Sequence, residues 1–97
     1  MNKYIVDVYY NKNMLSLLNG YSDSDELECV LTGIVVDAMS INNACEYIFT
    51  ELQDPRHMRS MSMGDVLFIR EYAADGMTNW HWYACAAVGF VVIDNHV

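Results

Sequence analysis

Three cysteines (Cys29, Cys45, Cys85), three histidines (His57, His81, His96) and thirteen carboxylates are the groups in this 97-residue chain that could do chemistry. A nucleophilic site needs Ser or Cys, a histidine base and an orienting carboxylate gathered in a cleft shaped by glycine-rich turns. Cys85 stands beside alanines in a strand-like run and Cys45 on the apolar stripe of a helical pattern, so each reads as a small buried hydrophobe, not an activated thiolate. His81 and Cys85 share one face of their strand, but four steps of about 3.3 Å part them by about 13 Å, too far for one metal ion. The acidic run DSDELE lacks the central glycine and terminal bidentate glutamate of a calcium loop. The five glycines are scattered singly, so there is no phosphate-cradling loop. The expectation is a chain that is not an enzyme and uses no metal or cofactor.

Charge points to partners instead. Thirteen acids against five bases give a formal net charge of -8, which repels nucleic acid and anionic lipid and favours a basic protein partner. Asp23, Asp25, Glu26 and Glu28 form a candidate acidic surface, joined by Glu46, Glu51 and Asp54 from the helical segment. The same composition would also serve solubility alone. The aromatic alternative is Trp80, His81, Trp82 and Tyr83 in NWHWYAC, together with Tyr47. Such a row could stack on bases, but stacking platforms lie in basic grooves and cations are scarce here. It reads better as a sheet face beneath the helix or as the apolar centre of a protein interface. A small-ligand pocket between helix and sheet, lined by Tyr47, Trp80, His81 and Trp82, is a further alternative. Met58, Met61 and Met63 read as core gap fillers.

These groups must be positioned by an antiparallel sheet of four to five strands with one amphipathic helix packed on one face, an α+β fold in a single domain over residues 1–97. KYIVDVYY (residues 3–10) and LECVLTGIVVD (residues 27–37) have strand composition, with Gly33 at a bulge or a point of close backbone approach. Between them lies a connection with an apolar patch at residues 14–18 and a following acidic cluster. Ser40 caps a helix in which Ile41, Ala44, Cys45, Ile48, Phe49 and Leu52 recur at helical spacing, and Pro55 ends it. VLFIREY (residues 66–72) is a strand with both faces partly covered, residues 74–79 form a hairpin loop, and two closing strands cover residues 80–86 and 90–93. No apolar stretch is long enough to cross a bilayer, the N-terminus does not read as a signal peptide, and three cysteines without paired spacing suit a reducing cytosol.

The segment RSMSMGDVLFI (residues 59–69), followed by WYACAAVGFVVI (residues 82–93), resembles the YodL-like group of small proteins of phages, plasmids and related mobile elements. Ser60, Met61, Ser62, Met63, Gly64, Asp65 and Val66 match its S-[LM]-S-[VM]-[GS]-D-V segment, and Gly89 with Phe90 its closing GF or GW dipeptide. The helix SINNACEYIFTEL (residues 40–52) sits where that group places its helix, so the likeness covers about the last sixty residues. No activity or catalytic residue comes with it. The resemblance implies a mobile-element accessory protein in which Met61 and Met63 point into the core, Gly64 permits a turn, and Asp65 bonds backbone donors as its strand begins. In that context an acidic surface implies an inhibitor of a host defence protein, such as an anti-CRISPR. It would mimic nucleic-acid phosphates and occupy the Lys/Arg groove of a basic, nucleic-acid-binding host protein in the host cytosol. A structural or regulatory phage component is the other class, and an edge strand could pair with its twin in a homodimer.

Overall fold

The structure is a computed structural model and describes residues 2–51 and 61–94. Its elements follow in the order β1 (Asn2–Asn11), α1 (Ser16–Asn19), β2 (Leu27–Ala38), α2 (Ile41–Glu51), β3 (Val66–Ala73), β4 (Gly76–Cys85) and β5 (Phe90–Val92). The strands form one antiparallel sheet in the order β2-β1-β3-β4-β5. This is an α+β fold with a single multi-turn helix among the described residues. No described helix is long and apolar enough to cross a membrane. Leu52, Asp54, Pro55, Arg56, His57, Met58, Arg59, Ser60 and His96 fall outside the described residues, and so do the expectations placed on them.

Strand alternation divides β1 cleanly. Tyr4, Val6, Val8 and Tyr10 are buried, while Ile5, Asp7 and Tyr9 between them are only half-buried. On the buried side α2 contributes Ala44, Cys45 and Ile48, which join Val36, Leu67, Ile69, Tyr83 and Cys85 in the main core. Ile41 and Phe49 pack at its margin, so the helical spacing of these residues is the spacing that meets the sheet. Asn43 donates its amide to Ser40 Oγ at 3.2 Å, which caps the helix as its sequence anticipates. Removing the Ile48 side chain beyond Cβ from this packed layer would cost about 2–5 kcal/mol.

Two sites bend the sheet. Opposite Asp7, β2 carries one residue more than β1, and Gly33 takes φ 69° there, the left-handed geometry of a bulge glycine. Asp7 Oδ1 accepts the Gly33 amide at 2.9 Å and so fixes the bulge. A second shift lies between Val8 and Tyr9. The β3–β4 hairpin is tighter than expected: Ala73 pairs with Gly76, so the turn is only Ala74 and Asp75, and Gly76 to Asn79, read from sequence as loop, are strand. Gly76 at φ 122° does its work at the strand start, and the backbone pairing of β3 extends β4 through residues that are not strand formers.

Residues 12–26 close the far end of the sheet. Met61 is buried and Met63 half-buried. Gly64 has φ 93°, and a Cβ there would collide with the Ser16 carbonyl oxygen. Gly64→Ala is therefore expected to lower stability by about 2–3 kcal/mol, from left-handed strain and lost backbone contact together. Urea unfolding checks this, with a lower midpoint expected at unchanged slope.

Candidate interaction surface

The face of the sheet turned away from α2 carries Tyr9, Phe68, Trp80 and Trp82. Register partners on antiparallel strands share a face, so Asp7 sits opposite Phe68, and Phe68 opposite Trp82. Ile5 likewise sits opposite Arg70, and Arg70 opposite Trp80. The rings form a continuous row: Tyr9 to Trp82 at 5.3 Å between centroids, Trp82 to Phe68 at 4.6 Å, and Phe68 to Trp80 at 5.9 Å. All three pairs are tilted, as aromatic quadrupoles prefer. Arg70 lies with its guanidinium carbon 5.5 Å from the Phe68 centroid and donates from Nη2 to Asp7 Oδ1 at 2.8 Å.

This row is held in place before any partner arrives. The carboxylate that anchors Arg70 also pins the Gly33 bulge, so strand shape and side-chain position are coupled. Trp80 is 49% exposed, and Val35 and Val91 on the same face are exposed as well. A second small core of Val66, Ala84 and Ile93, with Tyr9, Tyr21, Leu27 and Trp82 packed on it, covers only the end of the face next to residues 12–26. Among the described residues nothing covers the remainder.

The aromatic residues singled out from sequence are split between two faces. Trp80 and Trp82 lie on the open face. His81 is paired with Ile69 and Tyr83 with Leu67, which places both on the α2 side, and Tyr47 is exposed on α2. The expected pocket of Tyr47, Trp80, His81 and Trp82 between helix and sheet does not form, and the tryptophans are not beneath the helix. Period-two alternation forbids such a pocket, since adjacent residues of β4 must point to opposite sides, and the packing of α2 on Val6, Val8, Leu67 and Ile69 puts the tryptophans on the face it leaves open. A concavity of about 560 Å³ does exist beside Lys3, Glu71, Tyr72 and Thr78, but none of Tyr47, Trp80, His81 and Trp82 lines it.

His81 is engaged otherwise. Its Nδ1 lies 2.7 Å from Asp94 Oδ2, while Asp94 Oδ1 accepts the Trp82 amide at 2.6 Å. Burial pushes the Asp94 carboxyl up, but these two bonds outweigh it and hold the group below the usual carboxylate range. Burial also pushes the Cys45 thiol up to about 12 and the Cys85 thiol to about 11, so both stay protonated and unreactive at neutral pH. Among the described residues no three His, Cys, Asp or Glu side chains converge as metal ligands would.

The acidic surface loses its expected unity. Asp25 turns inward: Ser16 Oγ, Asn11 Nδ2 (2.9 Å), Asn13 Nδ2 (2.8 Å) and the Ser22 amide (2.8 Å) all donate to it. Glu26 is 3.5 Å from Lys12 Nζ. Asp23 and Glu28 are exposed, Glu28 on β2, and Glu46 and Glu51 are exposed on α2. The loop acids are therefore not one bare row of four, because the connection needs Asp25 to hold its own turns together.

Burial pushes the Asp25 carboxyl up, yet the four donors win and lower it from 3.8 to about 2. A depressed carboxylate stabilises the fold above its unfolded pKa, and that contribution fades as pH falls from about 4 to about 2. Asp25→Asn is accordingly expected to unfold at a lower temperature than the parent at pH 6, with the gap narrowing toward pH 2. Thermal unfolding of both proteins across that range measures it.

Tyr9, Phe68, Arg70, Asp7 and Val35 complete the open face and were not among the residues anticipated for it. Their signal was the pairing of V-x-F-x-R with W-x-W across the hairpin, which needs the register to be read. The comparisons add no relative: no family model, no curated protein and no solved structure matches this chain.

Proposed function

We propose that this chain is a non-enzymatic binding protein whose helix-free sheet face docks a cationic protein. The observation that carries the reading is the row Tyr9, Trp82, Phe68, Trp80 with Arg70, ordered by Asp7 yet partly open to solvent. Leaving aromatic surface wet forfeits about 25 cal/mol per Å², and trapped Trp, Tyr and Arg are the residue types that dominate protein interfaces. A net charge of -8 steers basic partners toward the molecule and repels a second copy. It also repels nucleic acid, for which the face offers, among the described residues, only Arg70, already tied to Asp7, and Lys3 at its margin. Edge pairing between copies is opposed by the two bulges of β2 and the three-residue length of β5.

The resemblance to YodL-like proteins supplies the biological setting of this proposal: an accessory protein of a phage or other mobile element acting on a host protein. Free thiols at Cys29, Cys45 and Cys85 suit action in a reducing cytosol. Inhibition of a defence protein, as an anti-CRISPR would achieve, then comes from occluding the partner through an apolar centre with an acidic surround.

Capture from host-cell lysate at low and high salt, with the parent, Trp80→Ser and a Glu26→Lys/Glu28→Lys variant, tests this. A protein retained by the parent at high salt and lost with Trp80→Ser supports the aromatic face. One lost with salt and with the charge reversal, but kept by Trp80→Ser, overturns it in favour of phosphate mimicry.

A further inference from the structure

Three large apolar side chains project from the short turn around α1: Met14 is 79% exposed, Leu15 66% and Leu18 73%. Their spacing of i, i+1 and i+4 brings Met14 and Leu18 to one side of a helical turn, with Leu15 beside them at i+3 from Leu18. Exposed apolar residues in a mobile loop would mean little, but this turn is fastened. Asn13 Oδ1 accepts the Leu15 amide at 3.0 Å, and Asn11 Oδ1 accepts the Asn13 amide at 2.8 Å. Gly20 donates its amide to the Ser16 carbonyl at 2.8 Å. Ser16, itself buried, bonds Asp25, and its backbone lies against Gly64. Asn11 Nδ2 bonds the Gly64 carbonyl at 2.9 Å and thereby ties the turn to the start of β3. With the polar side of the turn committed to the body of the protein, its apolar side is directed outward.

A groove of about 300 Å³ begins at Asn19 and Gly20, directly after Leu18, and is lined further by Tyr21, Met63, Val91 and Ile93. The groove is continuous with the aromatic face, since Ala84 and Ile93 line it and also belong to the small core on which Trp82 packs. Val88, 91% exposed, stands in the adjoining β4–β5 turn. The charge around this apolar feature is one-sided: residues 11–28 hold Asp23, Asp25, Glu26 and Glu28 against Lys12 alone, and Lys12 is already close to Glu26.

We infer that the turn bearing Met14, Leu15 and Leu18, with the groove beside it, is an anchor site for a bulky aliphatic side chain on a Lys- or Arg-flanked segment of the protein partner. The inference rests on the protein-binding reading above and extends it to a second contact at the end of the same surface. An apolar centre with an acidic surround takes an amphipathic cationic segment, in which the aliphatic anchor is desolvated and the flanking cations remain at the wet rim. A second copy would bring the same acids together, and an anionic bilayer would be repelled by them.

The test is fluorescence anisotropy with a labelled synthetic amphipathic Leu/Lys peptide, against the parent, Leu15→Ser/Leu18→Ser and Trp80→Ser. Circular dichroism establishes that both variants are folded. The expected result is binding by the parent that weakens about tenfold or more in Leu15→Ser/Leu18→Ser. Equal binding by that variant, or no binding by the parent, overturns the inference. Loss confined to Trp80→Ser overturns it while leaving the sheet-face reading intact, and loss confined to the leucine variant does the reverse. Sedimentation of the parent as a dimer that Leu15→Ser/Leu18→Ser dissociates, or co-flotation with neutral phosphatidylcholine vesicles, overturns it by giving the turn a different occupant.

Discussion

Trp80→Ser is expected to weaken binding of the captured partner by about thirtyfold or more, equivalent to about 2 kcal/mol, without unfolding the protein. The size follows from where Trp80 stands. Its ring touches Phe68 at 5.9 Å between centroids and is 49% exposed, so half of its surface is left for a partner to bury. Its backbone belongs to β4, which Asp94 and β3 hold independently. Surface substitutions that break no buried contact usually change stability by no more than about 0.5 kcal/mol, so loss of affinity and loss of fold are separable here. Trp82 is a poorer probe because it packs on Tyr9, Phe68 and the small core, and its removal would cost stability as well. Titration calorimetry gives the affinity directly. Because the chain has only two tryptophans, both on this face, their emission should also shift to the blue as a partner excludes water from them. Affinity unchanged in Trp80→Ser would remove the aromatic row from the interface.

Asp65→Ala is expected to be the most destabilising single change outside the apolar core, at about 3 kcal/mol. Asp65 is fully buried, at 0% exposure. Its Oδ1 accepts the Asn11 amide at 2.8 Å and its Oδ2 the Ser62 amide at 2.8 Å, so one carboxylate joins the end of β1 to the approach to β3. Its own carbonyl accepts the Cys85 amide at 2.8 Å, which carries the connection on to β4. Alanine leaves two buried amides without acceptors, and a stranded buried donor costs more than the bond itself contributed. Asp65→Asn keeps one acceptor oxygen and should fall between the two. Urea unfolding of the three proteins orders them, and equal midpoints for Asp65→Ala and the parent would rule out this role.

Much of the architecture can be read along the chain because it follows from local rules. Alternation in KYIVDVYY, the stripe of Ile41, Ala44, Cys45, Ile48 and Phe49, and the hydroxyl of Ser40 each act within a few residues, and each yields the expected strand, helix and cap. The β3–β4 turn departs from its local signal, since Asp75 and Gly76 suggest a loop whereas the pairing of Ala73 with Gly76 is decided across the hairpin. The role of Asp25 departs from its local signal for a similar reason. An aspartate among serines and other acids looks solvated in one dimension, but Asn11, Asn13 and Ser16 reach it only once the connection has folded back on itself.

Composition alone settles that the molecule is strongly acidic, and periodicity alone settles that Trp80 and Trp82 share a side of their strand. Which side the helix would cover could not be read there, because β3 and β4 carry apolar residues on both faces and one helix can bury only one of them. The covalent link from β2 into α2 and the close packing of Ala44, Cys45 and Ile48 on Val6, Val8, Leu67 and Ile69 select that face. The aromatic row is thereby left on the other side, next to the only cation–carboxylate pair, Arg70 with Asp7, that the described part of that face contains. The choice is tertiary because burial free energy depends on the summed fit of several strands with the helix, and no single strand carries that sum.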